Sequence, residues 1–328
     1  MTYLYPSHGY LAGGQRQRHF LRLGVLACIV TGLFFIVYRS HANGGRFEFD
    51  IDRWSPRTGP SVQIEARRPS IAKATIVYGD SPVYEEALRT HREHSRRFQY
   101  PMHVLRQGIL SDVWTKPAFL LSLVLQELMK PEGERLEWIL WFDADTIVMN
   151  PNIPIELFLP PTEDFEHIHL VLSKDWNGVN NGVFPIKVHP WSVELLSSII
   201  AYPYDNPDTL LVFRDQSALG FLLDNEYFAN STAYVPLRWF NAYRGKPDGG
   251  MSEIHPEELQ IHRGDFLVHF AGTMGAERND TMTEFTNVAR HHLPSWEVAL
   301  EETNYPAEVR EYWARMRQHL HSQSSEFE

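Results

Sequence analysis

The sequence predicts an α/β protein with a mostly parallel sheet flanked by helices and a membrane-spanning helix ahead of it. Three observations predict this. From about residue 72, short apolar, β-branched runs alternate with longer helical patterns. One such run, WILWF (138–142), leads directly into Asp143 and Asp145. Well before it, LGVLACIVTGLFFIVY (23–38) holds 16 residues without a charge.

Taken in order, residues 1–19 form a short polar tail predicted to be cytoplasmic. Residues 20–39 carry the apolar run between Arg22 and Arg39, whose long stems can reach toward the head groups. A cleaved signal peptide needs small residues at its exit, and here Phe34, Phe35, Ile36, Val37 and Tyr38 stand there. The run therefore reads as an uncleaved signal anchor near the short limit for a span. Residues 40–71, with Gly44-Gly45, Pro56, Gly59-Pro60 and Pro69, read as a stem. A D-x-D in this stem, Asp50 and Asp52, reads as a solvated acidic pair.

ATIVYGD (74–80) is a strand and turn, and Pro82 opens a charged helix through Tyr100. His91 and His94 on that helix read as solvated surface. MHVLRQ (102–107) is a second strand, TKPAFLLSLVLQELMK (115–130) a buried helix, and WILWFD (138–143) a central strand. Strands follow at 169–176 and 180–188, helices at 191–202 and 213–225, and strands at 234–243 and 266–272. The stretch from 291 is helical and charged. This divides the chain into a main α/β domain, 72–290, and a C-terminal helical extension, 291–328.

Composition excludes some classes. With 30 basic against 41 acidic residues, the chain is a poor nucleic-acid binder. A single cysteine, Cys28, excludes an intrachain disulfide and a cysteine zinc site.

In open α/β sheets ligands sit beyond the carboxyl ends of the strands, and Asp143 and Asp145 stand at such an end while Asp50 and Asp52 do not. Carboxylates at i and i+2 can share a hard cation, Mg²⁺ or Mn²⁺, and an added imidazole favours Mn²⁺. His269 closes the apolar run FLVHF and precedes a glycine-containing turn at Gly272 that lets backbone approach a phosphate. Each feature also has an ordinary reading: a solvated turn at Asp143/Asp145, a core histidine at 269, helix capping at Asp215 and Gln216, and a plain turn at Asn180-Asn181-Gly182. Trp176 and Asn177 precede that turn, and indole stacks on sugars. Trp239, Phe240 and Tyr243 form a second aromatic cluster able to do the same.

The joint order is more specific. An apolar strand with D-x-D is followed by Asn-Asn-Gly-Val-Phe, by Trp-Ser and a helix, by Asp-Gln-Ser-Ala-Leu, and by His-Phe-Ala-Gly. ALRTHREHSRRFQYPMHVLR (87–106), Trp114 and Lys116 add to it. Over about residues 72–290 this resembles glycosyltransferase family 34, the fungal Golgi galactosyl- and mannosyltransferases with the plant xyloglucan xylosyltransferases.

The resemblance implies a GT-A, Rossmann-like fold and retaining transfer of a hexose from UDP-galactose or GDP-mannose to a glycan hydroxyl. It implies metal ligation by Asp143, Asp145 and His269, and Asp215 and Gln216 beside the anomeric carbon. Donor contacts would come from Gly79, Asp80, Lys116, Ala144, Asn180, Asn181, Gly182 and Gly272, and acceptor contacts from Trp176 and Asn177. It also implies a single-pass type II protein of the Golgi membrane with a lumenal catalytic domain, able to form homo- or hetero-oligomers with other transferases. The sequons at Asn230 and Asn279 fit a lumenal side. The sequence departs from the family at Gly272-Thr273-Met274-Gly275, where plant members carry a basic residue that meets the diphosphate; Arg278 is the candidate replacement. It departs again at Asn180-Asn181-Gly182, which carries asparagine where many members have a small residue. Two other readings stand beside this one: an accessory, non-catalytic subunit of a mannosyltransferase complex, and a metal-dependent hydrolase.

Overall fold

The computed structural model of the chain describes residues 71–325. The tail, the predicted anchor, the stem up to Ser70 and the Asp50/Asp52 pair lie outside the described residues. Among the described residues, no helix is long and apolar enough to cross a membrane.

The main sheet begins with β1 (Ile71–Ile76), β2 (Met102–Leu105) and β3 (Trp138–Phe142), with β1 in the middle and all three parallel. Helix α1 (Pro82–Phe98) crosses from β1 to β2, and α2 (Thr115–Leu128) from β2 to β3. Pro82 starts α1, where its missing N–H costs nothing, and Gln99 ends it in the left-handed region at φ 60°. Every residue of β3 is buried, as its aromatic and β-branched content requires.

Beyond β3 the predicted parallel order fails, and the sheet is mixed. The hairpin of β5 (Leu170–Asp175) and β6 (Gly178–Asn180) turns at Trp176-Asn177, with Gly178 at φ +100°. The chain returns through Asn181-Gly182 into β7 (Val183–Lys187), antiparallel to both β3 and β5. A parallel entry needs a crossover helix, and a two-residue hairpin leaves no room for one. β8 (Thr232–Tyr234) then pairs parallel to β5.

The predicted strand 234–243 is also broken. Pro236 cannot donate to a ladder, and a 3₁₀ turn at Leu237–Trp239 follows it before β9 (Ala242–Tyr243). β9, β10 (Leu267–His269) and β4 (Thr146–Val148) form a second, three-stranded sheet.

Helices α3 (Pro190–Asp205) and α4 (Asp215–Leu222) follow β7, and α3 packs on α2. α5 (Gly275–Arg290) packs on α1, and Met282, Phe285 and Ala289 join Ile147, Val268 and Phe270 in a second core. The last helix, α6 (Tyr305–Ser325), sends Tyr305, Val309 and Trp313 into the main core. The Tyr305 hydroxyl accepts from Phe266 N at 3.1 Å and donates to Arg238 O at 3.1 Å, tying this segment to the approach to β10.

His91 and His94 correct the expectation of a solvated surface: both are buried. They lie with Ala87, Leu88, Thr90 and Ser95 on the inner stripe of α1, at helical spacing. Lys73 Nζ lies 3.3 Å from His91 O and 3.3 Å from His94 Nδ1, while His94 Nε2 meets Ile153 O at 2.8 Å. The stripe is polar yet turned inward, where most of its polar atoms find internal partners and His91 Nδ1 has none among the described residues.

Candidate active site

β3 ends as Asp143 N donates to Gly182 O at 2.8 Å, extending the ladder by one residue. The chain then turns through Asp143-Ala144-Asp145 into β4. Thr146 Oγ1 donates to Asp143 O at 2.7 Å and closes this turn. His91 Nε2 lies 3.0 Å from the same hydroxyl, and its ring stacks on Phe142 at 3.7 Å, so α1 braces the turn from behind. β10 pairs antiparallel with β4 so that His269 stands opposite Thr146, and Phe270 N donates to Asp145 O at 3.0 Å. This pairing brings together residues that lie more than 120 positions apart in the chain.

As a result Asp143, Asp145 and His269 each offer a ligand atom within 4.8 Å of the others. His269 Nε2 is 3.5 Å from Asp145 Oδ1, and Trp141 Nε1 donates to Asp143 Oδ1 at 2.8 Å. Burial pushes the Asp145 carboxyl up, but its contact with the His269 imidazole and the charge of Arg278 outweigh it and hold the carboxyl below its ordinary value. The other imidazole nitrogen, Nδ1, meets Asn241 Oδ1 at 2.8 Å. Two carboxylates and one imidazole, with the far nitrogen of the ring already satisfied, fit a divalent cation. Gly182 is small for a steric reason: a Cβ there would lie 2.1 Å from His269 Cε1.

Beside this cluster opens a cavity of about 480 Å³, reached by Lys116, Trp141, Asp143, Ala144, Asp215 and Gln216. Lys116 Nζ stands 3.0 Å from Asp143 Oδ1, 3.8 Å from Asp215 Oδ2 and 3.1 Å from Asn181 O. Burial would lower the Lys116 pKa, yet the two carboxylates outweigh it and raise it, so the group stays charged. Asp215 follows the reverse balance: burial raises its pKa more than Lys116 and Asn181 lower it. Asp215 is the first residue of α4, and its carboxylate accepts from Asn181 Nδ2 at 2.9 Å. Gln216 Oε1 accepts from Asn181 N at 3.2 Å. Asn181 is therefore the hub between Lys116, Asp215 and Gln216.

The remaining predicted residues divide. Gly79, at φ +67°, and Asp80 are exposed, and the cavity wall on that side is Ile76 and Tyr78. Gly272, at φ +72°, shapes the turn after His269. The Asn180 side chain meets Asp175, Tyr243, Gly182 and Asn241, away from the cavity wall. Trp176 is 57% exposed, and Asn177 beside it is exposed with its N–H on Asp175. The second aromatic cluster is core: Trp239, Phe240 and Tyr243 are buried. The sequon asparagines, Asn230 and Asn279, are both exposed. Arg278 lies with its guanidinium 5.4 Å from the Tyr84 ring centre, and its Nε has no hydrogen-bond partner among the described residues.

Sequence reasoning missed Asn241, Asp175, Thr146 and His255. His255 stacks on Trp176 at 5.5 Å between ring centres, from a loop 79 positions further along the chain. The buried asparagine in WFNAY was the available signal for Asn241, since an amide inside an apolar run needs partners.

The model of the galactosyl transferase GMA12/MNN10 family matches residues 159–280, which include Asp215, Gln216, Asn241 and His269. Over 227 residues the chain is 24% identical to a probable alpha-1,2-galactosyltransferase, gmh1, of Schizosaccharomyces pombe, covering 59% of this chain and 64% of that one. It is 28% identical over 171 residues to a probable alpha-1,6-mannosyltransferase, MNN10, of Saccharomyces cerevisiae, covering 43% of this chain and 42% of that one. The chain thus spans less than two thirds of the length of either relative. A solved glycosyltransferase involved in glycosylation of the major capsid of PBCV-1 is similar at a TM-score of 0.48 and 18% identity, over 66% of this chain and 99% of that one. The family model and both relatives agree: over residues 159–280 the chain is similar to the galactosyl transferase GMA12/MNN10 family.

Proposed function

We propose that the chain is a metal-dependent, retaining glycosyltransferase of GT-A type that moves galactose or mannose from a nucleotide sugar to a glycan hydroxyl in an alpha linkage. The observation that carries this is the convergence of Asp143, Asp145 and His269 at the edge of a cavity that also holds Lys116, Asp215 and Gln216. The names of the two relatives support the choice between galactose and mannose.

Asp143, Asp145 and His269 would hold Mn²⁺, or Mg²⁺ in its place. When bound, the ion neutralises charge on the departing diphosphate. Lys116 adds a fixed ammonium on the same side, and Arg278 supplies the basic contact that the Gly272–Gly275 turn lacks. Tyr78, exposed at the cavity wall, offers a ring face for a nucleobase.

Retention is best served by attack from the face of departure. The acceptor oxygen bonds to the anomeric carbon as the carbon–phosphate oxygen bond breaks, and the acceptor proton passes to the leaving phosphate. Asp215 makes a poor nucleophile here, because Asn181 and Lys116 both engage its Oδ2. Its buried carboxylate and the Gln216 amide instead stabilise positive charge developing on the sugar. Trp176 stacked with His255 forms the acceptor platform, with Asn177 beside it.

The same reading takes residues 20–39 as the anchor of a type II protein of the Golgi membrane, with the site lumenal. Exposure of Asn230 and Asn279 supports modification on that side.

The test is a donor screen with the full chain in detergent, Mn²⁺ and an α-mannoside acceptor. Release of nucleoside diphosphate from UDP-Gal, GDP-Man, UDP-Xyl and UDP-Glc is followed beside EDTA and Asp143→Asn/Asp145→Asn controls. One donor should turn over, only with metal and acceptor, to an α-linked product. A β-linked product refutes retention, and equal release without acceptor indicates a hydrolase. No turnover of any donor favours the accessory-subunit reading.

A further inference from the structure

Behind His269 runs a buried chain of polar side chains whose orientations are all determined. It starts at Asp175, which can only accept. Its Oδ2 takes a hydrogen bond from Asn180 Nδ2 at 2.9 Å and another from the Tyr243 hydroxyl, and its Oδ1 takes one from Asn177 N at 2.6 Å. Burial and the Asp175 carboxylate push the Tyr243 pKa up, so the phenol keeps the proton it donates. Asn180 must therefore present its Oδ1 on the other side. A second group requires the same orientation: Gly182 N, which can only donate, lies 3.0 Å from Asn180 Oδ1.

Asn180 Oδ1 also receives Asn241 Nδ2 at 2.9 Å, and that same nitrogen lies 3.0 Å from Ser173 Oγ. A flipped Asn241 would set two amide oxygens against each other in a buried site, an arrangement that forfeits a hydrogen bond and adds repulsion. Asn241 Oδ1 is thus directed at His269 Nδ1, 2.8 Å away, and an acceptor there requires the ring to carry its proton on Nδ1. The lone pair is left on Nε2, the nitrogen 3.5 Å from Asp145 Oδ1.

We propose that Asn241, oriented by Asn180 and Asp175, is a positioning residue that fixes His269 as the Nδ1–H tautomer and aims its Nε2 lone pair into the Asp143–Asp145 site. The proposal rests on the metal-dependent reading of that site. It gives Asn180 a role other than lining the donor pocket. It also links His269 to the Asp175–Trp176 turn, where the acceptor platform stands.

The test uses the full chain in detergent and Mn²⁺ itself, with bound ion measured by electron paramagnetic resonance. Asn241→Leu should weaken Mn²⁺ binding by about 10–100-fold, the usual effect of losing the partner of a ligating histidine. In a His269→Ala background the same substitution should have no further effect. Asn241→Asp keeps an acceptor for Nδ1–H, so it should hold Mn²⁺ within about threefold of wild type while lowering Tm, because its second oxygen faces Asn180 Oδ1. A wild-type readout needs no variant to fold: long-range ¹H–¹⁵N correlation on histidine-labelled, metal-free protein should show His269 protonated on Nδ1.

An Nε2–H tautomer overturns the proposal. So does unchanged Mn²⁺ affinity in Asn241→Leu, or an equal loss in both backgrounds. Failure of the underlying reading looks different: wild type and Asp143→Asn/Asp145→Asn would then bind Mn²⁺ alike.

Discussion

Gly182→Ala is the smallest change that should disable the site. An added Cβ would lie 2.1 Å from His269 Cε1, 2.7 Å from Nδ1 and 3.0 Å from Nε2. The ring must retreat by about 1.3 Å to reach the 3.4 Å at which ordinary contact begins. It has little freedom to do so, since Asn241 holds Nδ1 at 2.8 Å and the β4 and β9 ladders flank its backbone. Overpacking of this kind costs about 1–3 kcal/mol of stability. The functional cost should be larger, because misplacement by about 1 Å costs roughly 10²-fold in rate and metal ligands tolerate only about ±0.2 Å. Mn²⁺ titration, donor turnover and Tm are measured on Gly182→Ala alone and combined with His269→Ala. Affinity should fall by about 10–100-fold and turnover by about 10²-fold. Removing the ring should restore most of the lost Tm without restoring binding. A Gly182→Ala protein that binds Mn²⁺ and turns over donor like wild type would refute the reasoning, because the contact would have to be absent.

Three further outcomes are expected. Lys116→Met removes the ammonium between Asp143 and Asp215 and should lower kcat/KM for the donor by about 10²-fold or more; an unchanged value refutes the donor-side role of Lys116. Trp176→Ala should raise the acceptor KM by about 2–10-fold, as loss of one stacking contact predicts, and leave the donor KM unchanged; a change confined to the donor refutes the acceptor platform. Stability should fall as pH drops below about 6.5, where unfolded imidazoles begin to bind protons. Burial, then Lys73, holds His91 and His94 well below that value, and burial, then His189, brings His169 down to about 4. The unfolded chain therefore takes up protons first, and Tm should hold above about pH 6.5 and decline from there to pH 5. A flat Tm profile over that range refutes the neutral, buried state of these rings.

How much of this was legible from sequence depended on how far each feature reaches along the chain. Asp143 and Asp145 were legible because the apolar run that aims them is adjacent to them. His269 was legible for the same reason, through FLVHF. The reversal of β7 was not, because it turns on Trp176-Asn177 between two short strands that read as separate elements. His91 and His94 were misread because α1 carries so many Arg and Glu residues that its inner stripe looks like more of the same surface. That stripe is polar and dry at once, and only Lys73, Thr146 and Ile153, from distant parts of the chain, make it so.

The triplet Asn180-Asn181-Gly182 shows why turn chemistry alone could not assign the rest. Asn and Gly in succession satisfy any tight turn, and the sequence offers nothing to separate them. In the folded chain they have three different tasks. Asn180 faces one way and holds Asn241, a partner 61 positions away. Asn181 faces the other and joins Lys116, Asp215 and Gln216. Gly182 faces the His269 ring and provides the space it occupies, while its carbonyl receives Asp143 N. A one-residue shift would exchange these faces, because side chains alternate along an extended chain. It would also place a Cβ against the imidazole. The register that β7 takes on β3, Phe142 opposite Val183, therefore sets the Asp143–His269 side and the Lys116–Asp215 side of the cavity together. A substitution that slips this register should abolish both donor binding and Mn²⁺ binding in one step, whereas changes at Asn181 or Asn241 alone should separate them.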